Sequence, residues 1–144
     1  MNTVKLVTVF VENKLGQLAR ITKVLADAGA NIRWVTISTS VGFGVIKILA
    51  DKCDVALAQL KEHGFTVSCV EVLAIEVQDK PGGLNAVAEL LSSHGINVEN
   101  ASGFVVSAHK RAVLLLESHD LPHARQVLQN QGAHLLTQEE MLNL

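Results

Sequence analysis

The residues best suited to chemistry lie in one short glycine-rich segment, Asp79-Lys80-Pro81-Gly82-Gly83-Leu84. Adjacent glycines allow backbone conformations that other residues avoid and let a ligand approach the main chain closely. The first amides of a helix have no intrahelical acceptor, and the helix dipole attracts a carboxylate to them. We therefore predict that the amides of 82–84 bind a carboxylate and that Asp79 binds an ammonium group, the two charges of an amino acid.

A second segment of the same kind occurs earlier, Asn13-Lys14-Leu15-Gly16-Gln17-Leu18. Two further dipeptides, Asn31-Ile32 and Asn97-Val98, precede later strands, where their amides can donate hydrogen bonds. We expect each glycine segment to face the second strand of the opposite half of the chain, which would give two pseudo-equivalent pockets. The alternatives are that the glycines only form tight turns and that the asparagines only satisfy backbone groups after a helix.

No cluster of residues predicts catalysis, a metal or a cofactor. His119 and His123 have the spacing that would let two imidazoles share a metal, but no third ligand is near them in the sequence. Nucleophile-elbow, P-loop and HExxH motifs are absent. Cys53 and Cys69 lack zinc-ligand spacing, and we predict that both are reduced and buried. We therefore expect no enzymatic activity, with no catalytic and no metal-binding residues.

Both glycine segments belong to a repeat. An offset of 66 positions, as from Gly16 to Gly82, aligns residues 11–32 with 77–98. Seven pairs are identical: Val11/Val77, Lys14/Lys80, Gly16/Gly82, Leu18/Leu84, Leu25/Leu91, Gly29/Gly95 and Asn31/Asn97. Later the offset becomes 68, so we place a two-residue insertion in the second half, near His109-Lys110-Arg111.

Each half shows the pattern β-α-β-β-α-β. Alternating and β-rich runs predict strands at 3–12, 31–40, 43–51 and 65–70, then at 72–78, 97–107, 112–117 and 133–137. Helical spacing predicts helices at 16–28, 54–63, 83–94 and 120–131, and residues 137–140 form a capping box for a short last helix. Val41-Gly42 suits a hairpin turn, and no linker separates the halves between 65 and 77.

These features predict an α+β protein of two ferredoxin-like βαββαβ units packed side by side as a pseudo-symmetric pair. The glycine segments, with Gly95-Ile96-Asn97-Val98 and Gly29-Ala30-Asn31-Ile32, resemble those of the ACT domain family, with domains at 1–71 and 72–144. The first copy departs from the family pattern, with Leu15 in place of Pro and Asn13 in place of Asp. The resemblance implies a regulatory protein that binds an amino acid where two ACT domains meet, and it makes a homodimer plausible.

Composition excludes several other classes. A formal net charge of −2 and scattered cationic residues argue against a nucleic-acid partner. With no Tyr, one Trp and four Phe, the chain lacks the aromatic platform of an RNA-binding sheet. No apolar run reaches membrane-spanning length, and the first residues do not resemble a signal peptide, so we expect a cytoplasmic protein without membrane contact. The remaining alternatives are a ligand-free interaction adaptor and a separate regulatory subunit of an amino-acid-metabolism enzyme.

Overall fold

The structure is a computed structural model that describes residues 2–144. Its elements are β1 (Val4–Glu12), α1 (Gln17–Asp27), β2 (Ile32–Ser40), β3 (Phe43–Ala50), α2 (Cys53–Glu62), β4 (Thr66–Gln78), α3 (Gly83–Ser93), β5 (Asn100–Ser107), β6 (Arg111–Glu117), α4 (Leu121–Asn130), β7 (Leu135–Leu136) and α5 (Gln138–Leu142). The chain divides into two compact units. We call Lys5–Val70 the first unit and Glu71–Leu144, together with residues 2–4, the second unit.

The first unit has the predicted βαββαβ order. Strand β3 pairs antiparallel with both β1 and β2, and the helix-facing side of this sheet forms the core with α1 and α2. Helix α1 buries Ile21 and Leu25, which lie four positions apart and therefore on the same side of the helix. The hairpin between β2 and β3 turns at Val41 and Gly42, with φ of 43° and 81°. Positive φ at both central residues is typical of the two-residue turn that joins twisted strands.

The second unit repeats this order, using the last part of β4 as its first strand. Strand β4 pairs antiparallel with β6 and β7, and β6 also pairs with β5. The core lies between the sheet and the helices α3 and α4, around Leu73, Ile75, Leu91, Leu116 and Leu128. The absence of a linker is confirmed, because β4 is one strand of 13 residues that begins in the first unit and ends in the second.

The predicted insertion in the second hairpin is confirmed, and it divides into two parts. Val105 pairs with Ala112 and Ser107 with Arg111, so the intervening Val106 forms a bulge. The turn itself spans 108–110, where the first hairpin has only the two residues 41–42. One inserted residue is therefore in the strand and the other in the turn, where His109 adopts a positive φ of 63°.

The lengths of two strands and the burial of the cysteines differ from the sequence predictions. Strand β5 begins at Asn100 instead of residue 97, and β7 has only 2 residues. Cys69 is exposed and Cys53 only partly buried, so the prediction that both are buried was wrong. The capping box of α5 is confirmed, because the Thr137 hydroxyl accepts from the Glu140 amide while the Glu140 carboxylate accepts from the Thr137 amide. None of the helices in residues 2–144 is long and apolar enough to cross a membrane.

Candidate ligand cleft

A cleft of about 580 Å³ lies in the second unit between helix α3 and the edge strand β5. One wall is formed by Leu84, Ala88 and Leu91 of α3, and the other by Ala101, Gly103 and Val105 of β5. The three β5 residues pair with Leu116, Leu114 and Ala112 of β6. Since Leu114 and Leu116 pack in the core under the helices, the cleft opens on the helix-covered side of the sheet.

Small side chains create this space. Ala88, Ala101 and Gly103 are exposed, and they occupy positions where larger residues would extend the packing of α3 over the strand. A Cβ atom added at Gly103 would meet only ordinary van der Waals contacts, the nearest at 3.5 Å from the carbonyl oxygen of Val113. The glycine is therefore not required by its backbone surroundings, and its effect is to leave the cleft open.

The glycine segment closes one end of the cleft. Gly82 is the N-cap of α3 with φ of 85°, which an L side chain rarely adopts. The Gly83 amide donates to the carbonyl oxygen of Lys80 at 3.0 Å, so one of the three amides predicted to bind a carboxylate already has a partner. Lys80 and Leu84 line the cleft, whereas Pro81, Gly82 and Gly83 lie outside its lining.

Asp79 lies at the same end and also holds the neighbouring hairpin. Its Oδ2 accepts a hydrogen bond from the His109 amide at 2.6 Å, and its own amide donates to the Lys110 carbonyl at 3.2 Å. A carboxylate can accept about four hydrogen bonds, so capacity remains for a ligand. The hairpin thus fixes an acidic side chain at the polar end of a cleft that is otherwise apolar.

Asn97 lies in a neighbouring depression of about 390 Å³. This depression shares Ala88 and Val98 with the main cleft, so Val98 contacts both spaces. The Asn97 carbonyl accepts from the Ser118 hydroxyl at 3.2 Å. Of the predicted residues of the second copy, the structure brings Asp79, Lys80, Leu84 and Val98 together and leaves Asn97 beside them.

Comparison with known proteins identifies the family. The model of a family described as an ACT domain pair matches residues 2–144. The chain belongs to this ACT domain pair family. No curated protein matches its sequence.

Solved ACT-like structures share this fold. The protein BT0572 from Bacteroides thetaiotaomicron is 27% identical, with all of both chains covered and a TM-score of 0.91. The regulatory subunit of aspartate kinase from Thermus thermophilus is 13% identical, with 89% of this chain and 92% of that chain covered and a TM-score of 0.61. Aspartokinase III from E. coli, solved in complex with lysine and aspartate, is 20% identical, with 89% and 31% covered and a TM-score of 0.50.

The first ACT unit arranges its predicted site residues differently. Lys14 forms an ion pair with Glu12 at 3.6 Å, and the Gln17 side chain accepts a hydrogen bond from Arg20 at 2.9 Å. Leu15 is fully exposed. The remaining predicted residues lie around them: Asn13 on the turn, Gly16 at the N-cap of α1, Leu18 exposed on α1, Asn31 bonded through its amide to Asp51, and Ile32 packed partly in the core.

Sequence reasoning missed the small residues that open the cleft in the second ACT unit, which are Ala88, Ala101 and Gly103. The signal was in the repeat, because the 66-residue offset places Gly103 opposite Ile37 and Ala88 opposite Thr22. Among residues 2–144 no group of three or more His, Cys, Asp or Glu side chains could hold a metal. The prediction that a ligand lies between two ACT domains stays a prediction.

Proposed function

We propose that this ACT pair is a non-catalytic regulatory protein that binds a free amino acid in the cleft of its second unit. The observation that carries the proposal is an apolar cleft with Asp79, Lys80 and the first turn of α3 at one end. An amino acid has the matching layout, with two charges at one end and a side chain at the other. The aspartokinase structure with bound lysine and aspartate supports the ligand class.

The ligand's charges would be divided between two groups. The ammonium would donate to the Asp79 carboxylate, which the hairpin already orients through the His109 amide. The carboxylate would accept from the amide of Leu84, with the positive charge of Lys80 beside it, since both residues line the cleft and the Gly83 amide is paired with the Lys80 carbonyl. Main-chain donors at a helix start favour an anion through their direction and through the helix dipole.

A separate regulatory subunit of an amino-acid-metabolism enzyme is the second candidate. It is supported by the similarity in fold to the regulatory subunit of aspartate kinase from Thermus thermophilus. In this version the enzyme is a protein partner, the chain acts as a homodimer, and residues 1–71 and 72–144 are its two domains. It shares the cleft with the first candidate and adds a partner, so one binding experiment tests the common step.

Binding can be tested with a variant that fills the cleft. Gly103→Ile introduces the residue that the first unit has at the equivalent position, and the backbone leaves room for its Cβ. We expect thermal-shift and calorimetric screening of the common amino acids to find a ligand for the natural protein, and Gly103→Ile to weaken its binding at least about a hundredfold, close to 3 kcal/mol.

Gly44→Ala is the matched control. It also adds a side chain to a strand glycine with ordinary contacts, the nearest at 3.5 Å, and the second unit has Ala112 at that position. We expect its affinity to equal that of the natural protein. Failure of every amino acid to bind a folded sample would refute the proposal, and unchanged binding by Gly103→Ile would refute this site.

A further inference from the structure

We infer that the amino acid bound in this cleft has a large apolar side chain, of the branched aliphatic or aromatic class. The inference rests on the proposed function and narrows it. It follows from where the polar side chains of the cleft lie and from what forms the rest of its surface.

The polar side chains lie at one end. Gln78, Asp79 and Lys80 are consecutive and lie at the β5–β6 hairpin end, where the Asp79 amide donates to the Lys110 carbonyl. Ser102 also lines the cleft, but it alternates with Ala101 and Gly103 and therefore directs its side chain to the opposite side of β5. Asp79 and Lys80 can serve the ligand's own ammonium and carboxylate, which leaves no charged partner farther along.

The residues that line the opposite end of the cleft are apolar. Leu91 of α3, Val98 and Ala101 lie there, and Leu114 forms part of the floor. A ligand side chain that entered this region with a hydroxyl, amide or charge would lose its water without gaining a hydrogen bond, which is unfavourable. Asn97 lies in the adjoining depression and is not part of this lining.

The exposed apolar surface also favours a bulky ligand. Leu84 is 57% exposed and Val105 is 55% exposed, although both border the cleft. Both lie toward the polar end, since Val105 pairs with Ala112 and Ala112 with Val77, so the first carbons of a branched or aromatic side chain would cover part of both surfaces. Removing such surface from water is the main source of favourable free energy for apolar groups. The volume of about 580 Å³ falls within the range of roughly 300–1,000 Å³ typical of small-molecule sites, so a large side chain fits.

Pairs of amino acids that match in shape and differ in polarity provide the test. Calorimetry on the full chain would compare valine with threonine, leucine with asparagine, and methionine with lysine. We expect the apolar member of each pair to bind at least about tenfold more tightly, because the hydroxyl, amide or ammonium finds no partner. Leucine, isoleucine or phenylalanine should be the tightest ligand of the whole panel.

The outcomes separate this inference from the proposed function. Equal or tighter binding of threonine, asparagine or lysine would overturn the apolar preference while the amino-acid-binding function stands. Binding of none of the amino acids would overturn the function and the inference together. Tightest binding of a large apolar member supports both.

A variant with a narrower cleft tests where the ligand's side chain lies. Ala88→Leu adds bulk to the α3 wall at an exposed position. We expect it to weaken phenylalanine or leucine at least about tenfold and alanine much less, since only the large side chains reach that wall. Ala86→Leu, on the same helix, exposed and outside the cleft lining, is the control and should change neither. If both variants changed the affinity of every ligand equally, the ligand side chain would not lie against Ala88, and the inference would be overturned.

Discussion

The two units share one backbone plan but differ in bulk at three of the positions that border the cleft. The 66-residue offset places Gly103 opposite Ile37, Ala101 opposite Val35 and Ala88 opposite Thr22. In both units the strand residues pair with core residues of the neighbouring strand, Ile37 with Ile46 and Gly103 with Leu114. The fold therefore accepts large side chains at these positions. Their absence in the second unit is a local property of that copy, which is what a binding site requires.

The glycine turns of the two units also differ, and again the second unit has the smaller residue, Gly83 in place of Gln17. Gly16 and Gly82 have nearly the same φ, 88° and 85°. In the first turn the Gln17 amide lies 3.4 Å from the Lys14 carbonyl, and in the second the Gly83 amide lies 3.0 Å from the Lys80 carbonyl. The second turn is closed more tightly, because a glycine at position 83 lets the backbone approach residue 78. A glycine is therefore needed at position 83 but not at position 17, where the first turn has Gln.

The largest expected effect is on this tight turn. A Cβ atom at Gly83 would overlap the carbonyl oxygen of Gln78, which is main chain and cannot rotate away. We expect Gly83→Ala to lower the free energy of unfolding by about 2–3 kcal/mol, the scale of overpacking in a closed structure. Urea unfolding followed by circular dichroism measures this change.

Gln17→Ala is the matched variant in the first unit. The first turn already contains a side chain at this position, and the Gln17 side chain accepts a hydrogen bond from Arg20 on the same exposed helix surface. We expect a change within about 0.5 kcal/mol, as for most exposed substitutions. Equal losses in the two variants would show that the turns are equivalent and would break the comparison.

We expect a smaller loss of stability from changes at Asp79 and Asn13, the first residues of the two glycine segments, which bond to the β-hairpins. In both units the main-chain amide donates to the hairpin, Asn13 to the Gly42 carbonyl at 2.8 Å and Asp79 to the Lys110 carbonyl at 3.2 Å. Only the second unit adds a side-chain bond, in which the Asp79 carboxylate accepts from the His109 amide at 2.6 Å. Asp79→Ala removes a charge-assisted hydrogen bond at an exposed position, so we expect a loss of about 1 kcal/mol in unfolding free energy. We also expect amino-acid affinity to fall at least about tenfold, because the ligand ammonium loses its acceptor.

Asn13→Ala is the matched variant in the first unit. The substitution keeps the main-chain hydrogen bond to Gly42, so we expect less than about 0.5 kcal/mol of destabilisation. Calorimetry should find the same affinity as in the natural protein. Loss of binding in Asn13→Ala comparable to that in Asp79→Ala would mean that the first turn also contributes to a ligand site.

The sequence predicted the repeat, the element order and the turns, because these depend on local patterns. Val41-Gly42 and the capping box at Thr137 are examples in which a few adjacent residues determine the backbone. The cleft was not predicted, because it depends on which β5 positions share a side with α3. That relation requires the register of Gly103 with Leu114 and the bulge at Val106, both of which depend on distant pairing.

The same reasoning explains why the start of β5 was misplaced. Residues 97–99 have β-rich neighbours, but the Glu99 amide bonds to the Glu117 carbonyl outside the regular ladder, which begins at Asn100. Periodicity does not distinguish a segment beside a sheet from a strand within it. Asn97, predicted to bind a ligand, lines the depression next to the cleft, and its role in binding stays a prediction.

The two units also differ in their cysteines, neither of which lines the cleft. Cys53 and Cys69 of the first unit correspond, at an offset of 68, to Leu121 and Thr137 of the second, so thiol labelling reports on the first unit alone. Burial, followed by the nearby Cys69, raises the pKa of Cys53 from 9.0 to about 11. At pH 8 the thiolate fraction of Cys53 is therefore roughly a hundredfold lower than that of a thiol at its usual pKa.

We expect iodoacetamide at pH 8 to modify the exposed Cys69 well before Cys53, as measured by peptide mass spectrometry over time. The rate at Cys53 should increase about tenfold per pH unit below pH 11, since only the thiolate reacts. Cys69→Ser removes the second cause of the raised pKa, so it should accelerate Cys53 by less than the full hundredfold, because burial remains. Equal labelling of both cysteines in the natural protein would contradict the protected position of Cys53 at the start of α2.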